Sequence, residues 1–287
     1  MIGIVYNPHT NKGASVERMK KIREDLDSRG VQYEYRESTY AGESVALASE
    51  LAKTCDVIVS AGGDGTFYEV INGTIDKDVT YAVLPFGSGN DTSRMLGLKE
   101  KSDKELVDTL LEGKETMMDV QIFNDKTISM QFIAMGIVPE VLANFLKMKK
   151  SRGFNYVMAL LSALIRHKPR NYKVIVDGVE ETYYSDMVAM MNIQTAGGGL
   201  QVCPEAIIDD RKLDLVIIKH TSRRRYFANL MALLKGRLTS QPNVIHKLVE
   251  EATFVAEKPE DCVIDGEMFH FDSVKMALYS KQIRVRH

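Results

Sequence analysis

Residues 57–91 constrain the fold more than any other part of the chain. The apolar run Val57-Ile58-Val59-Ser60 leads into Gly62-Gly63-Asp64-Gly65-Thr66, a helical pattern at 67–72, a second apolar run at 81–84, and Phe86-Gly87-Ser88-Gly89-Asn90-Asp91. Two glycine-rich turns, each directly after a strand that reads as buried, suit an α/β sheet with its ligand beyond the carboxyl ends of the strands. Glycine lets backbone N–H groups reach phosphate oxygens without a Cβ in the way, and a following helix N-terminus adds favourable partial charge. Phosphate handling is therefore the first expectation. Asp-Gly is also a common hairpin turn, and the loop has neither the Lys-Ser/Thr ending of a Walker loop nor dinucleotide-fingerprint spacing. Asp64 would repel a phosphate directly, so it is expected to hold a metal ion, a water or a backbone donor beside the phosphates.

The flanking sequence extends this into two domains. Residues 1–120 alternate strand and helix patterns: strands at 2–6, 31–36, 57–60 and 81–84, helices at 15–29, 43–53, from 67 and at 101–111, the last closed by Gly113 as a C-cap glycine. This predicts an α/β nucleotide-binding domain with a parallel-rich sheet and flanking helices. Residues 121–274 read as a β-rich second domain, with strands at 121–123, 127–134, 172–177, 183–193, 212–219, 247–256, 263–264 and 268–271, then 274–279. Turn pairs Asn124-Asp125, Asp177-Gly178 and Asp265-Gly266 favour antiparallel pairing. Helical insertions are expected at 141–166 and 222–238 by apolar spacing. Residues 275–287 are available to complete the first domain.

Composition excludes some classes. A net charge of −2 gives no global reason to expect nucleic-acid binding. Cys55, Cys203 and Cys262 are odd in number and far apart, forming no metal-ligand pattern or disulfide framework, which fits a reducing cytoplasm. The six histidines form no metal cluster by spacing, and His9, His220 and His246 read as surface or structural. The opening MIGIVYNPHT is a short strand and a turn rather than a signal peptide. No window offers the roughly 18 uninterrupted apolar residues of a membrane span, so any membrane contact is expected to be peripheral.

Further motifs carry a resemblance. Tyr6-Asn7-Pro8 with Lys12-Gly13 precedes the GGDGT loop at 62–66, which runs into Glu69-Val70-Ile71-Asn72-Gly73. Leu84-Pro85 leads the second glycine turn; Met118-Asp119-Val120, Ala196-Gly197-Gly198-Gly199, Pro204-Glu205-Ala206, Asp209-Asp210, Leu213-Asp214 and Ile264-Asp265-Gly266-Glu267 follow. In this order, across nearly the whole chain, they resemble the diacylglycerol kinase catalytic-domain family, in its compact bacterial lipid-kinase branch. GGDGT-type loops are shared with NAD kinases and phosphofructokinases, and the later motifs distinguish this branch. The resemblance implies an NAD-kinase-like two-domain kinase with ATP between the domains. It implies that Asn7, Lys12, Thr39, Gly63, Asp64, Gly65, Thr66, Glu69 and Ser88 surround the nucleotide. Asp265 would be the general base, with Glu267 beside it. A lipid hydroxyl needs such an acceptor for its proton while Mg²⁺ and oriented donors neutralise the transferred phosphoryl group. Asp265 and Glu267 share a side if their segment is extended; that Asp265-Gly266 is only a hairpin turn stays open.

The resemblance also implies a structural Mg²⁺ loop within 203–214, with an Asp210 side-chain oxygen and the carbonyls of Ile207 and Lys212 as ligands. Arg211 departs from the family's usual glycine, adding positive charge where φ > 0 is expected. Val138-Pro139 departs from the usual acidic-residue-plus-Ala sequence, although Pro139 can start a helix. The segments at 156–167 and 220–237 are apolar and flanked by basic residues: Lys147, Lys149, Lys150, Arg152, Arg166, Lys168 and Arg170 for the first, Arg223-Arg224-Arg225, Lys235 and Arg237 for the second. They fit docking on an anionic bilayer or ordinary core packing. An arginine run at a helix start opposes the helix dipole, which favours an external partner. The expectation is a cytoplasmic, peripherally membrane-associated lipid kinase acting on diacylglycerol, with phosphatidylglycerol or a sphingoid base as runners-up and a homodimer compatible. A soluble-substrate kinase of the NAD-kinase type and a non-catalytic nucleotide- or lipid-binding regulator are the alternatives.

Overall fold

The computed structural model describes residues 1–148 and 153–287, with the side chains of Lys12, of residues 153–156 and of Arg223 outside that description. Lys149, Lys150 and Arg152 of the expected basic flank lie outside the described residues. The chain divides into two units, Met1–Met118 with Lys281–His287, and Asp119–Ser280. The crossing falls at Met118 rather than 120, and the return begins at Lys281 rather than 275.

In the first unit, β1 (Ile2–Tyr6), β2 (Tyr33–Glu37), β3 (Val57–Gly62), β4 (Thr80–Pro85) and β5 (Glu115–Met118) share a sheet with the C-terminal strand Ile283–Arg286. The order is β2-β1-β3-β4, then the C-terminal strand, then β5. Pairing is parallel except at β5, which runs antiparallel to the C-terminal strand. Helices α1 (Val16–Ser28), α2 (Glu43–Leu51), α3 (Asp64–Thr74), α4 (Asp91–Met95) and α5 (Asp103–Glu112) make the connections. Every residue of β1, β3 and β4 is buried, which explains their unbroken apolar runs. From β1 the chain winds to β2 on one side and returns to β3 on the other, so the topological switch point lies between the ends of β1 and β3.

Two local expectations are corrected here. Helix α3 starts at Asp64, inside the glycine loop, rather than at Phe67. Gly113 has extended φ −64° and ψ 159°, not the left-handed conformation of a capping glycine. Its requirement is space: a Cβ would lie 2.4 Å from the Thr109 carbonyl oxygen and 2.9 Å from that of His287.

The second unit holds β6 (Gln121–Phe123), β7 (Thr127–Ser129), β8 (Phe132–Gly136), α6 (Ile137–Leu146), α7 (Gly153–Arg166), β9 (Arg170–Val176), β10 (Val179–Met191), β11 (Thr195–Ala196) and β12 (Leu200–Gln201). It continues with β13 (Leu213–Lys219), α8 (Arg223–Leu234), β14 (Val244–Val249), β15 (Glu251–Ile264) and β16 (Glu267–Leu278). Its main sheet is antiparallel in the order β14-β13-β10-β8-β15-β16-β6-β7, and β9 pairs with both β10 and β15. Alternate residues fill two cores. Ile133, Met135, Val188, Met190, Leu215 and Phe254 enter one, and Phe132, Ala134, Met187, Ala189 and Val216 enter the other. All three turn pairs have positive φ at both positions, as type I′ hairpins require: Asn124 and Asp125 at 48° and 54°, Asp177 and Gly178 at 51° and 76°, Asp265 and Gly266 at 47° and 89°.

Strand boundaries differ where hydrogen bonds leave the ladder. The run expected at 127–134 breaks between β7 and β8 because the N–H groups of Met130, Gln131 and Phe132 turn to the Asp265 carboxylate. Residues 247–256 divide into β14 and β15 at Glu250. The strand pieces at 263–264, and at 268–271 with 274–279, belong to the long β15 and β16; the register shift between Val255 and Glu260, around Pro259, accommodates the break in pattern. Pro139 sits in the first turn of α6, where its missing N–H costs nothing.

The C-terminal strand is structural to the first unit, with Val285 fully buried between β4 and β5. Val285→Ala should destabilise the protein by about 2 kcal/mol through lost burial and an unfilled cavity, read as a lower midpoint in denaturant melts.

Candidate functional site

The switch point gathers several of the residues predicted from sequence. Asn7, just past β1, donates through its backbone N–H to the Ala61 carbonyl at 3.0 Å and through Nδ2 to Thr66 Oγ1 at 3.3 Å. Gly63 caps α3 in extended conformation, and Asp64, Gly65 and Thr66 form the first turn of that helix, whose leading N–H groups have no intrahelical acceptor. The two glycine turns touch: a Cβ on Gly87 would lie 2.6 Å from the Gly63 Cα, so a side chain there would force them apart. Asp64 joins them from the other side. Its Oδ2 accepts from Asp91 N at 3.1 Å and its Oδ1 from Thr92 N at 3.3 Å, the first N–H groups of α4. Backbone donors, one of the partners foreseen for Asp64, are thus present at both its oxygens.

The remaining predicted nucleotide residues surround this core less directly. Glu69 Oε1 accepts from Gly42 N at 2.9 Å. Thr39 donates through N and Oγ1 to Glu43 Oε2 at 2.5 and 2.9 Å. Ser88 lies exposed on the second turn. The side chain of Lys12 lies outside the described residues, although its backbone belongs to a short 3₁₀ turn, Thr10–Gly13.

In the second unit Asp265 is 4% exposed. Its Oδ1 accepts from Ser129 Oγ at 2.8 Å, Gln131 N at 2.9 Å and Phe132 N at 3.0 Å, and its Oδ2 from Met130 N at 2.6 Å. Burial raises its pKa above the ordinary aspartate value, and these donors pull the other way without reversing the direction. Asp265 is thus at once a hairpin-turn residue and a buried carboxylate. The segment is not extended, however. Glu267 opens β16 and is exposed while Asp265 is buried, so the structure does not present the two carboxylates as a matched pair.

The loop expected to hold structural Mg²⁺ is organised around Arg211. Asp119 is 0% exposed. Arg211 donates to both its oxygens, through N at 2.7 Å and through the guanidinium Nη1 at 2.9 Å, while Nη2 reaches the Tyr279 carbonyl at 3.0 Å. Arg211 adopts φ 60°, the left-handed region where glycine was expected. Asp210 Oδ1 accepts from Lys212 N at 3.0 Å, closing its own turn, and Ile207 is exposed. A fixed guanidinium beside the buried Asp119 supplies positive charge within this turn.

Two groupings escaped the sequence reading. Asp186 Oδ1, nearly buried on β10, accepts from Tyr226 OH of α8 at 2.7 Å and lies 3.0 Å from His220 Nδ1; His167, at the end of α7, lies 3.0 Å from Glu140 Oε1 of α6. Spacing also hides Cys203, Asp214 and His246, whose ligand atoms lie within 4.8 Å of one another. No periodicity signals either group, because the partners come from different strands and helices. On α8, Phe227, Met231 and Leu234 are 66%, 52% and 47% exposed and share a face by i, i+4, i+7 spacing. Among the described residues no helix is long and apolar enough to cross a membrane.

A parallel-rich nucleotide-type domain with facing glycine turns, followed by a β-rich domain, defines the NAD-kinase-like two-domain kinase class. The family model described as the diacylglycerol kinase catalytic domain matches residues 1–122, and that of the YegS C-terminal NAD kinase beta sandwich-like domain matches residues 134–285. The chain belongs to the diacylglycerol kinase catalytic-domain family, in its bacterial lipid-kinase branch. It is 29% identical over 237 residues to a diacylglycerol kinase of Mycobacterium tuberculosis, covering 80% of this chain and 77% of that one. It is 23% identical over 271 residues to a diacylglycerol kinase of Bacillus subtilis strain 168, covering 92% and 88%. A crystal structure of a diacylglycerol kinase from Bacillus anthracis strain Sterne has the same fold, with a TM-score of 0.76 at 18% identity over 100% of this chain and 96% of that one.

Removing the guanidinium should leave a buried carboxylate unpaired. Arg211→Gln is expected to cost about 2–4 kcal/mol, somewhat less than the roughly 3–5 kcal/mol of a fully buried ion pair because Arg211 is partly exposed. Chemical denaturation checks the cost, read as a lower denaturant midpoint for the variant than for the wild type.

Proposed function

We propose that this chain is an ATP-dependent lipid kinase that transfers the γ-phosphoryl group to a lipid hydroxyl, diacylglycerol foremost. The meeting of Asn7, Thr66 and the two Asp64-linked glycine turns at the switch point carries the reading. There Asn7, Lys12, Thr39, Gly63, Asp64, Gly65, Thr66, Glu69 and Ser88 surround ATP, which arrives as its Mg²⁺ complex. The first N–H groups of α3 and its dipole favour phosphate. The acceptor hydroxyl oxygen attacks the γ-phosphorus, its proton passes to Asp265, and ADP leaves. Oδ2 of Asp265, with Met130 N as its donor, is the oxygen through which that proton would pass. A pKa raised by burial makes the carboxylate a better proton acceptor than an ordinary aspartate. Glu267, exposed at the start of β16, orients the acceptor.

The lipid is reached from the membrane surface. The exposed stripe Phe227, Met231 and Leu234 on α8, with the exposed Arg224 and Lys235 on the same helix surface, supports shallow docking on an anionic bilayer. Exposed Met158 and Ile165, seven residues apart on α7, offer a second apolar edge.

Purified protein, labelled ATP and mixed vesicles should give labelled phosphatidic acid from diacylglycerol. Transfer to NAD without vesicles, or tight ATP binding with no turnover on a broad lipid panel, would defeat the assignment. Asp265→Asn should lower turnover by about 100-fold or more, the scale of a general base, while ATP binding measured by calorimetry persists; because it also loses an acceptor for the 129–132 donors, its melting temperature should fall. Full turnover in a folded Asp265→Asn protein would remove the base role. For docking, Phe227→Asp with Met231→Asp should raise the anionic-vesicle concentration needed for half-binding by about 10-fold or more, from roughly 1.5–3 kcal/mol lost per buried side chain. Unchanged flotation with vesicles would place the contact elsewhere.

A further inference from the structure

Beyond the kinase chemistry, one group of side chains has the composition of a transition-metal site. Asp214 lies on β13 and His246 on β14. Val216 pairs with His246 and Asp214 with Leu248, so Asp214 and His246 are diagonal neighbours on one face of the sheet. Cys203 follows β12 and enters the core beneath that face. His246 Nε2 lies 2.6 Å from Asp214 Oδ1 and 3.6 Å from Cys203 Sγ. Glu205, two residues beyond Cys203, brings Oε2 to 4.0 Å from the thiol sulfur.

The thiol can donate toward Glu205 Oε2, while His246 Nε2 faces both Asp214 Oδ1 and Cys203 Sγ. Cys203 and Asp214 are buried together, and burial and then the Asp214 carboxylate push the thiol pKa up. Asp214 also raises the His246 pKa by hydrogen bonding. The group thus brings one sulfur, one imidazole nitrogen and one carboxylate oxygen to a common point, with a second carboxylate beside them. Those are the ligand types of tetrahedral zinc. With Zn–S near 2.3 Å and Zn–N near 2.05 Å, a tetrahedral S···N edge is about 3.6 Å, the separation found between Cys203 and His246. The N···O edge would be about 3.3 Å, so the His246–Asp214 contact would have to open by roughly 0.7 Å. Hard ions such as Mg²⁺ prefer all-oxygen ligands and are disfavoured by the thiolate.

We propose that Cys203, Asp214 and His246 bind a zinc-class divalent ion with water in the fourth position, the Glu205 carboxylate staying with Thr239 Oγ1 at 2.8 and 2.9 Å. Binding replaces the His246–Asp214 hydrogen bond by two metal bonds. The thiol S–H breaks, its electron pair forms the metal–sulfur bond, and one proton leaves to solvent. A second proton leaves when His246 starts as imidazolium; when it starts neutral, its Nε2 proton moves to Nδ1. The ion ties the 203–205 segment to β13 and β14, so its role is to hold that part of the second unit together.

The test uses the full chain stripped by chelator and titrated with Co²⁺, a spectroscopic stand-in for Zn²⁺. The expected result is tetrahedral d–d absorption with a sulfur-to-cobalt charge-transfer band, one equivalent per chain, displaced by Zn²⁺ and unaffected by excess Mg²⁺. Cys203→Ser should lose the charge-transfer band, and His246→Ala should weaken Co²⁺ binding by about 10-fold or more. Zn²⁺ should raise the wild-type melting temperature and leave that of His246→Ala unchanged. No band in the wild-type protein at millimolar Co²⁺ overturns the site whatever the variants do. A band surviving in folded Cys203→Ser assigns the sulfur to Cys55 or Cys262 and overturns it equally.

Discussion

The first unit depends on one carboxylate placed among glycines. Asp64 starts α3 and spends both oxygens on the first N–H groups of α4, so the turn after β3 and the turn after β4 are held as one object. Glycine at 63 and 87 lets the two backbones approach closely, and Asp64 keeps them there. Phosphate oxygens near this point would meet N–H groups already oriented by the fold, which limits the ordering cost of binding. An aspartate in such a loop looks repulsive to phosphate when considered alone. Its charge is directed instead into the next helix start, where it is favourable.

The second unit uses the same device in a deeper setting. Three successive N–H groups, from Met130 to Phe132, converge on Asp265, and this convergence breaks the strand between β7 and β8. A hairpin turn with positive φ delivers the carboxylate, while β15 and β16 hold the turn rigid. A carboxylate so fixed has little freedom to search for a substrate. It can serve proton transfer only if the acceptor is brought to it, which makes acceptor delivery the demanding part of the chemistry.

Much of this was legible from residue order. Buried parallel strands appear as unbroken apolar runs, and the Asn-Asp and Asp-Gly pairs marked their hairpins because few residues accept positive φ at both turn positions. The family resemblance arose from motif order, which survives even where pairwise identity is low. Long-range pairing was less visible. Nothing in 127–134 announces that its N–H groups serve a carboxylate more than 130 residues away, and nothing in the spacing of Cys203, Asp214 and His246 shows that β13 and β14 carry two of them on one face. Gly113 was misread because a glycine needed for close approach has the same sequence signature as one needed for φ.

Arg211 shows how a departure from a family pattern can be constructive. Left-handed backbone costs a non-glycine residue about 1–2 kcal/mol, so an arginine in a glycine position would ordinarily loosen the turn. Here the same φ that strains Arg211 aims its N–H at Asp119, and the side chain curls back to give the second oxygen a guanidinium donor. Hydrogen bonds to a charged group contribute about 1.5–3 kcal/mol each, enough to offset the strain. The charge that neutralises the buried Asp119 is thus carried by the chain itself, on the residue whose backbone also bonds it.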